Sequence, residues 1–310
     1  MRLINLIPTG TTVRFLHFRK TALILSLIGC IASVGLFAFK GLNFGIDFRG
    51  GILLEIRTPE PANMRMIRDT VSGLKLGHFE LQEFGQNTDI LIRIERQEGA
   101  APEQQKAVEA VKQALGSAVD YRRTEFVGPT VSGELIEAGV TAVVLALAAM
   151  LMYIWFRFEW QFGVGAVVAL IHDVIMTIGV FALLGLEFNL STVAAILTIA
   201  GYSINDTVVV YDRVRENLRK FKVMRLEEVL NLSLNDTLSR TLLTSITTLI
   251  ALLILFFWGG EVIKGFSFAM IWGVIVGTYS SIFIAAPLLI HMNLRAEDVA
   301  LDKDDSAETV

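Results

Sequence analysis

The sequence predicts a polytopic α-helical membrane protein with six transmembrane helices and one small α+β domain outside the membrane. Hydrophobic residues make up 53% and charged residues 19% of the 310 residues, so the chain is more apolar and less charged than soluble proteins usually are. The apolar residues lie in six runs that are each long enough to span a bilayer, which takes ~20 residues. A polar stretch of about 95 residues, enough for a small domain, separates the first run from the second. Together these observations exclude a soluble globular protein.

The predicted spans divide the chain into an N-terminal arm (1–20), a first span (21–39), an outside domain (40–133), a five-helix region (134–290) and a tail (291–310). Within the five-helix region the spans cover about 135–156, 162–184, 190–211, 237–258 and 266–290. The first apolar run is longer than the ~7–15 residues typical of a signal peptide, and no small-residue cleavage site follows it. We therefore expect an uncleaved signal anchor rather than a cleaved signal peptide.

Basic residues indicate the orientation of the spans. Thirteen Lys and Arg residues fall in the arm, the tail and the loops 157–161 and 212–236, whereas the opposite short loops carry only Lys264. The positive-inside rule then places both termini in the cytoplasm and residues 40–133 outside. The charged loop 212–236 is predicted either as a solvated helix lying on the inner surface of the lipid bilayer or as a docking surface for a cytoplasmic partner.

The outside domain has a readable hydrophobic periodicity. Strands are predicted at 52–57, 79–84, 89–95 and 121–127, because apolar and polar residues alternate or β-formers cluster there. Helices are predicted at 59–74 and 101–115. The order is βαββαβ, a ferredoxin-like pattern. With no cysteine and only His78 in the domain, no metal or cofactor is expected there, and Cys30, the single cysteine of the chain, excludes an internal disulfide. The net charge of −4 argues against binding to nucleic acid.

Three charged residues fall inside the predicted spans, namely Asp173, Asp206 and Arg240. A charge at the centre of a membrane helix costs ~2.5–3.5 kcal/mol on insertion scales. Helical spacing places polar residues on one stripe of each of two helices, and these stripes should face protein or water rather than lipid. The stripes consist of Ser191, Thr198, Tyr202, Asn205 and Asp206 on the fourth helix, and of Thr237, Arg240, Thr241, Thr244 and Thr248 on the fifth.

Asp206 and Arg240 lie at similar estimated depths, so the sequence predicts that the two side chains meet. Such a pair is either a proton-operated switch, in which protonation of the carboxyl releases Arg240, or a static ion pair that joins two helices. Arg240 can also extend to the inner interface. For Asp173 a structural role is favoured, with Thr177 as a local partner, and a lone His172 is most often a satisfied buried histidine.

A different chemistry uses the same aspartates. Asp173 and Asp206 on adjacent helices resemble the dyad of an aspartyl intramembrane protease, and Tyr211-Asp212 provides a Tyr-Asp pair. However, the Gly-x-Gly-Asp motif of such proteases is absent, and a nearby arginine opposes the sharing of a proton. An aspartyl intramembrane protease is therefore not expected.

One short motif follows the first span directly, in the order Gly45, Ile46, Asp47, Phe48, Arg49, Gly50 and Gly51. A turn between helix and strand accounts for the glycines alone. The whole string, however, resembles the Asp-Phe-x-Gly-Gly signature of the SecD/SecF family of protein-export membrane proteins, with Arg49 where threonine is common. Three further stretches resemble the same family in order and spacing: 171–173, 201–217 and 237–248.

The resemblance implies a function that composition does not show. In this family a SecF subunit pairs with SecD, both related to the resistance–nodulation–division transporter superfamily, in the bacterial inner membrane. The pair associates with the SecYEG channel and uses the proton-motive force, or sodium in some lineages, to complete export of unfolded preproteins. Residues matching Asp206 and Arg240 belong to the family's ion pathway.

The predicted proton path therefore comprises Asp206, Arg240, Asn205, Tyr202, Asp173 and His172, with H⁺ as coupling ion and no cofactor or metal. Protonation of Asp206 changes its pairing with Arg240. Because this mechanism involves no covalent chemistry, the resemblance implies no enzymatic activity and no catalytic residues. The connector, formed by Gly45, Asp47, Phe48, Gly50 and Gly51, passes the helix movement to the periplasmic domain. Two alternatives are a solute or lipid transporter of the same superfamily, and a passive scaffold of the translocation channel.

Overall fold

The computed structural model describes residues 11–97, 99, 101–116, 119–292 and 294, and these form two compact units. Nearly all of the predicted tail 291–310 and the first half of the predicted arm lie outside the described residues. In chain order the elements are α1 (Arg19–Lys40), β1 (Asn43–Phe44), α2 (Ile46–Arg49), β2 (Gly51–Arg57), α3 (Met64–Gly73), β3 (Phe79–Phe84), β4 (Gln86–Ile94), α4 (Ala101–Leu115), β5 (Asp120–Val127), α5 (Pro129–Arg157), α6 (Trp160–Leu184), β6 (Glu187–Phe188), α7 (Leu190–Lys220), α8 (Leu226–Trp258), α9 (Glu261–Ser280) and α10 (Ala286–His291).

Within the described residues, six helical segments are long and apolar enough to cross a membrane, which confirms the predicted class of a six-span helical membrane protein. The sixth segment joins α9 to α10 through a π-helical turn at Ser281–Ala285. The helical unit is centred on α6, α7 and the last segment, where Phe162, Tyr211 and Ala285 are fully buried in one apolar cluster. The outer faces of α1, α5 and α8 carry large exposed apolar side chains, which suits contact with lipid or with other spans.

The charged stretch 212–236 differs from its prediction. Instead of forming a separate surface helix, it continues α7 to Lys220 and begins α8 at Leu226. The two helix ends pack as an antiparallel pair because Val214 and Val229 are fully buried and Arg213 pairs with Asp236 at 2.8 Å. The expectation of a helix lying on the lipid surface is therefore wrong, since its apolar side packs within the protein.

The small unit comprises Asn43–Ala142 and Glu187–Leu190, and its main sheet has the strand order β3-β4-β2-β5 with every pair antiparallel. Strands and helices follow one another as βαββαβ, so β4 lies between two strands that α3 connects. Alternate residues of β2 and β4 point to opposite faces. One of these faces forms the core of the unit with the two helices: Ile52, Leu54, Ile56, Ile90, Ile92 and Ile94 from the strands, and Ile67, Val71, Val108 and Val111 from α3 and α4.

The opposite face of the sheet is partly covered by the segment that follows α1. Ile46 of α2 packs against Leu53 and Leu91, and all three side chains are buried. The glycines of the Gly45–Gly51 motif predict a turn, whereas residues 46–49 form one short helix. Gly51 has φ +121°, and an added Cβ would lie 2.6 Å from the carbonyl oxygen of Ile94, so only glycine fits at the start of β2.

A second, two-stranded sheet was not predicted. β1 pairs in parallel with β6, with Asn43 opposite Glu187 and Phe44 opposite Phe188. Strands of two residues are too short to produce a periodic signal. Their pairing nevertheless joins the segment after α1 to the segment that leads into α7.

Candidate functional site

Asp173 lies at the centre of a buried polar network in the helical unit. Its side chain is fully buried, and its carboxylate accepts hydrogen bonds from Ser203 of α7 at 2.5 Å and from Ser280 of α9 at 2.8 Å. The other carboxylate oxygen lies 2.9 Å from Nδ1 of His172. Thr177, the expected local partner, instead donates to the backbone carbonyl of Asp173 at 2.8 Å. Asp173 therefore joins three helices through its side chain.

His172 is buried, as expected of a core histidine, but it is only partly satisfied. Nδ1 contacts Asp173, whereas Nε2 is buried with no hydrogen-bond partner among the described residues. The ring of Tyr279 lies 6.2 Å from the imidazole, and the Tyr279 hydroxyl is 2.9 Å from the Ser26 hydroxyl of α1. The His172–Asp173 pair thus combines two ionisable groups in the core of the membrane region.

Asp206 provides a second buried carboxylate, which accepts fewer hydrogen bonds than that of Asp173. It is 2% exposed and, among the described residues, accepts one long side-chain hydrogen bond, 3.4 Å, from Thr278 of α9. Thr278 also contacts Ser245 of α8 at 2.8 Å, and the Tyr202 hydroxyl is 3.4 Å from the same serine. The neighbourhood of Asp206 therefore consists of hydroxyl groups on three helices rather than of a cation.

The predicted contact between Asp206 and Arg240 is not formed in this structure. No ion pair within 4.0 Å joins them in the described part of the chain. The reason is the rotation of the helices: Asp206 is on a buried face of α7, whereas Arg240 is exposed on α8. The expectation that the two side chains meet is therefore wrong for this conformation.

The two predicted polar stripes do not behave as single faces. On α7, Asn205 is exposed and Tyr202 is half-buried, while Asp206 is buried. On α8, Thr244 and Thr248 bond to carbonyl groups one turn earlier in the same helix, as threonines in apolar helices commonly do. Thr237, Thr244 and Thr248 are therefore satisfied within α8, whereas the hydroxyl of Thr241 is buried with no hydrogen-bond partner among the described residues.

Sequence reasoning missed several hydroxyl groups that complete the network, namely Ser203, Ser245, Thr278, Ser280 and Ser281. Ser281 contacts Thr207 at 2.9 Å and begins the π-helical turn. Three of them, Thr278, Ser280 and Ser281, lie in a run of small polar residues and one tyrosine inside an apolar segment. Such a run marks a helix-packing site, but it does not identify which carboxylate each hydroxyl contacts.

The connector residues have a well-defined geometry in the small unit. The Asp47 carboxylate accepts a hydrogen bond of 2.9 Å from the backbone N–H of Leu190, the first residue of α7. The backbone carbonyl of Asp47 accepts another, 3.0 Å, from Ser132 of α5. Phe48 packs with Phe44 and Phe188. The motif after α1 therefore holds the first residue of α7.

The fold and these polar groups define the class of protein: a six-span membrane protein with buried carboxylates in its spans and a small α+β domain inserted between them in the chain. Within the described residues, no group of three or more His, Cys, Asp or Glu side chains is placed to hold a metal ion.

Family models place the chain more specifically. Residues 107–295 match the C-terminal model of the SecD/SecF protein export membrane proteins, and residues 35–58 match the SecD/SecF GG motif. The chain belongs to the SecD/SecF family.

Individual relatives agree with this assignment. The protein translocase subunit SecF of Rickettsia felis is 46% identical, with 92% of this chain and 94% of that protein covered. The SecF subunit of Rhodobacter capsulatus is 44% identical, with 97% and 95% covered.

A solved structure has the same fold. The crystal structure of SecDF from Thermus thermophilus, a translocon-associated membrane protein, matches with a TM-score of 0.84 and 33% identity. The match covers 93% of this chain but only 40% of the SecDF chain. A second SecDF structure, in a super-membrane-facing form, matches with a TM-score of 0.64.

Proposed function

We propose that this protein acts as SecF proteins do, as a subunit of the accessory complex of the Sec protein translocase. In this role it pairs with SecD, associates with the SecYEG channel and uses the proton-motive force to drive late steps of preprotein export. The support is the near-complete coverage of relatives named protein translocase subunit SecF at 44–47% identity.

The observation that carries the coupling proposal is the state of Asp206. Within the described residues, this carboxyl group inside a membrane span is held by a single long hydrogen bond from Thr278. Arg240, the cation expected to pair with it, is exposed and makes no ion pair in the same part of the chain. Loss or gain of a proton therefore changes the attraction between the two groups without first breaking a contact.

The role of Asp173 and His172 differs from that of Asp206. Asp173 is fixed by two serine hydroxyls and by His172, and the unpartnered Nε2 of His172 leaves one position for a proton or a water molecule. We place this pair on the same proton path as a second proton-binding site, held more rigidly than Asp206, together with Tyr202 and Asn205.

An exposed polar face on two spans supports a membrane partner. Asn205 of α7 and Arg240 of α8 are exposed in the single chain. Polar groups at this depth are stable against protein or water but not against lipid tails. The helices of SecD would cover this face and enclose a water-lined path to Asp206.

The proposed role also has a defined location and a defined chemistry. The protein lies in the bacterial inner membrane with both termini cytoplasmic and the small domain periplasmic, where it meets the emerging unfolded chain. It performs no covalent chemistry and uses no cofactor other than the coupling ion, H⁺ or Na⁺. The connector transmits helix movement to the small domain, which grips and releases the preprotein.

The test is preprotein export into inside-out vesicles that contain the purified partner complexes, under an imposed ΔpH or ΔNa⁺. Asp206→Asn keeps the side-chain volume but cannot ionise, and we expect it to lose the ion-gradient stimulation. Arg240→Met should have the same effect. Asp212→Asn is the matched control, because Asp212 is half-exposed and pairs with Arg157, and it should retain the stimulation.

Normal gradient-dependent export by Asp206→Asn would contradict the coupling proposal. Retained export when both charges are replaced, as in Asp206→Asn with Arg240→Met, would favour the passive scaffold instead. Comparing ΔpH with ΔNa⁺ identifies the coupling ion.

A further inference from the structure

An ion pair between Arg93 and Glu187 joins two distant parts of the small unit. The Arg93 guanidinium of β4 lies 2.5 Å from the Glu187 carboxylate of β6 and 3.7 Å from the Glu80 carboxylate of β3. It also contacts the side-chain oxygen of Asn43 at 3.3 Å. The Arg93 side chain is 11% exposed and that of Glu187 is 26% exposed. A pair this well shielded from water is screened less than a surface pair.

Gly45 leaves room beside it for the carboxylate of Glu187. A Cβ atom at Gly45 would lie 2.6 Å from Oε1 of Glu187, so the glycine leaves the space that this carboxylate occupies. Gly45 has φ −69°, a conformation open to any residue, so its requirement is the close approach rather than the backbone angle.

Other ion pairs of the small unit differ from this one. Arg57 pairs with Asp89 between adjacent strands of the main sheet, and Arg123 pairs with Glu125 within β5. Both are internal to the sheet. The Arg93–Glu187 pair instead connects the sheet to the short strand that ends two residues before α7 begins.

We propose that the Arg93–Glu187 pair is a positioning contact that makes the main sheet and the start of α7 move as one body. Arg93 holds Glu187, Asp47 holds the N–H of Leu190, and both act on a segment of four residues. Because α7 also carries Asp206, displacement of this helix is transmitted to the sheet through the pair. The inference rests on the proposed function and extends it to residues outside the predicted connector.

Two readouts test the contact in the full chain with its partners. The first is hydrogen–deuterium exchange of residues 187–190, which requires no transport. R93E and E187R should each accelerate this exchange by about tenfold, because each leaves a partly buried charge facing a like charge. The double variant R93E/E187R restores the attraction between positions 93 and 187 and should return most of the exchange protection, while the contact of position 93 with Glu80 stays lost.

The second readout is gradient-stimulated export in the vesicle assay. Each single charge reversal should lower it and the double reversal should restore most of it, which identifies the attraction between the two positions, rather than either side chain alone, as the cause. R123E is the matched control, since it removes an arginine from the same sheet without touching Glu187, and it should leave both readouts unchanged.

Neutralising variants keep the test decisive if charge reversal impairs folding. R93Q and E187Q remove the attraction without placing like charges together, so each should accelerate exchange of residues 187–190 less than the reversals do and should lower gradient-stimulated export. Wild-type exchange and export in both variants would overturn the positioning contact.

The outcomes separate the two proposals. Normal export and exchange in R93E, alongside a defective Asp206→Asn, would overturn the positioning contact and leave the proposed function intact. Restored exchange in the double variant, alongside normal export by Asp206→Asn, would overturn the coupling proposal and leave the contact intact.

Discussion

At the scale of single residues, two aspartates in neighbouring spans have opposite surroundings. Asp173 has both carboxylate oxygens bonded to side chains of α6, α7 and α9. Asp206 has one long side-chain bond, from Thr278, in the described part of the chain. A carboxylate held by several donors serves to fix helices, whereas a carboxylate with few contacts is free to change partners. This contrast favours Asp206 as the mobile centre of the site.

A third aspartate gives a prediction for the stability of the small domain. The Arg57 guanidinium donates to both oxygens of Asp89 and lowers the pKa of that carboxyl from its ordinary value of 3.8. A lowered pKa in the folded state means that the contribution to stability is complete above pH 3.8 and is lost as the pH falls through the lower value.

The measurement is amide exchange of β2 and β4 in the full chain as the pH is lowered. Protection should decline below the ordinary Asp pKa in the wild type, and Asp89→Asn should reduce protection at neutral pH and remove most of this pH dependence. Asp69→Asn, at an exposed position of α3, is the control. Unchanged pH dependence in Asp89→Asn would contradict the assignment.

At the scale of secondary-structure elements, helix ends and one irregular turn organise the site. α9 stops being α-helical at Ser281, directly after Ser280, which contacts Asp173. π-helical turns are frequent at functional sites, and here the turn lets Ser280 and Ser281 reach α6 and α7 respectively. The start of α7 depends in the same way on a group outside the helix, the Asp47 carboxylate.

The capping role of Asp47 predicts a local effect on α7. The Asp47 carboxylate accepts a hydrogen bond from the Leu190 N–H and interacts favourably with the positive end of the α7 dipole. Asp47→Ala removes both interactions, which should destabilise the start of α7 by about 1 kcal/mol. Asp47→Asn keeps an acceptor oxygen, so it should destabilise the start of α7 less than Asp47→Ala does. Exchange of the Leu190 amide reports the change directly.

The start of α3, in the same unit, provides the control for this prediction. The side chain of Asn63 caps α3 by accepting from the Met66 N–H at 3.1 Å, so Asn63→Ala should destabilise α3 and leave the Leu190 amide unaffected. Equal exchange at Leu190 in Asp47→Ala and the wild type would rule out the cap.

At the scale of the whole molecule, the distribution of basic residues predicts the orientation in the membrane. Val223, in the short connection between α7 and α8, is 99% exposed, and Lys106 is an exposed position of α4. On a C30S background, a membrane-impermeant maleimide should label K106C in intact spheroplasts and V223C only after permeabilisation. The reverse labelling pattern would invert the proposed topology.

The sequence alone determined the six spans, the order of strands and helices in the small domain, and the family. These properties are encoded locally, because a run of apolar residues or an alternating strand carries its own periodicity. The same reasoning placed Asp173, His172 and Asp206 inside the spans. Ionisable residues are rare there because inserting them into the membrane costs free energy, so they are easily recognised in the sequence.

Only the tertiary structure decided which polar groups meet. It separated Asp206 from Arg240, because matching depth along two helices says nothing about their rotation around their axes. It brought Ser203 and Ser280 to Asp173, and Arg93 to Glu187, across sequence separations that no local pattern reports. The physical reason is that helix packing and strand pairing depend on contacts between distant segments, which form only once the chain has folded.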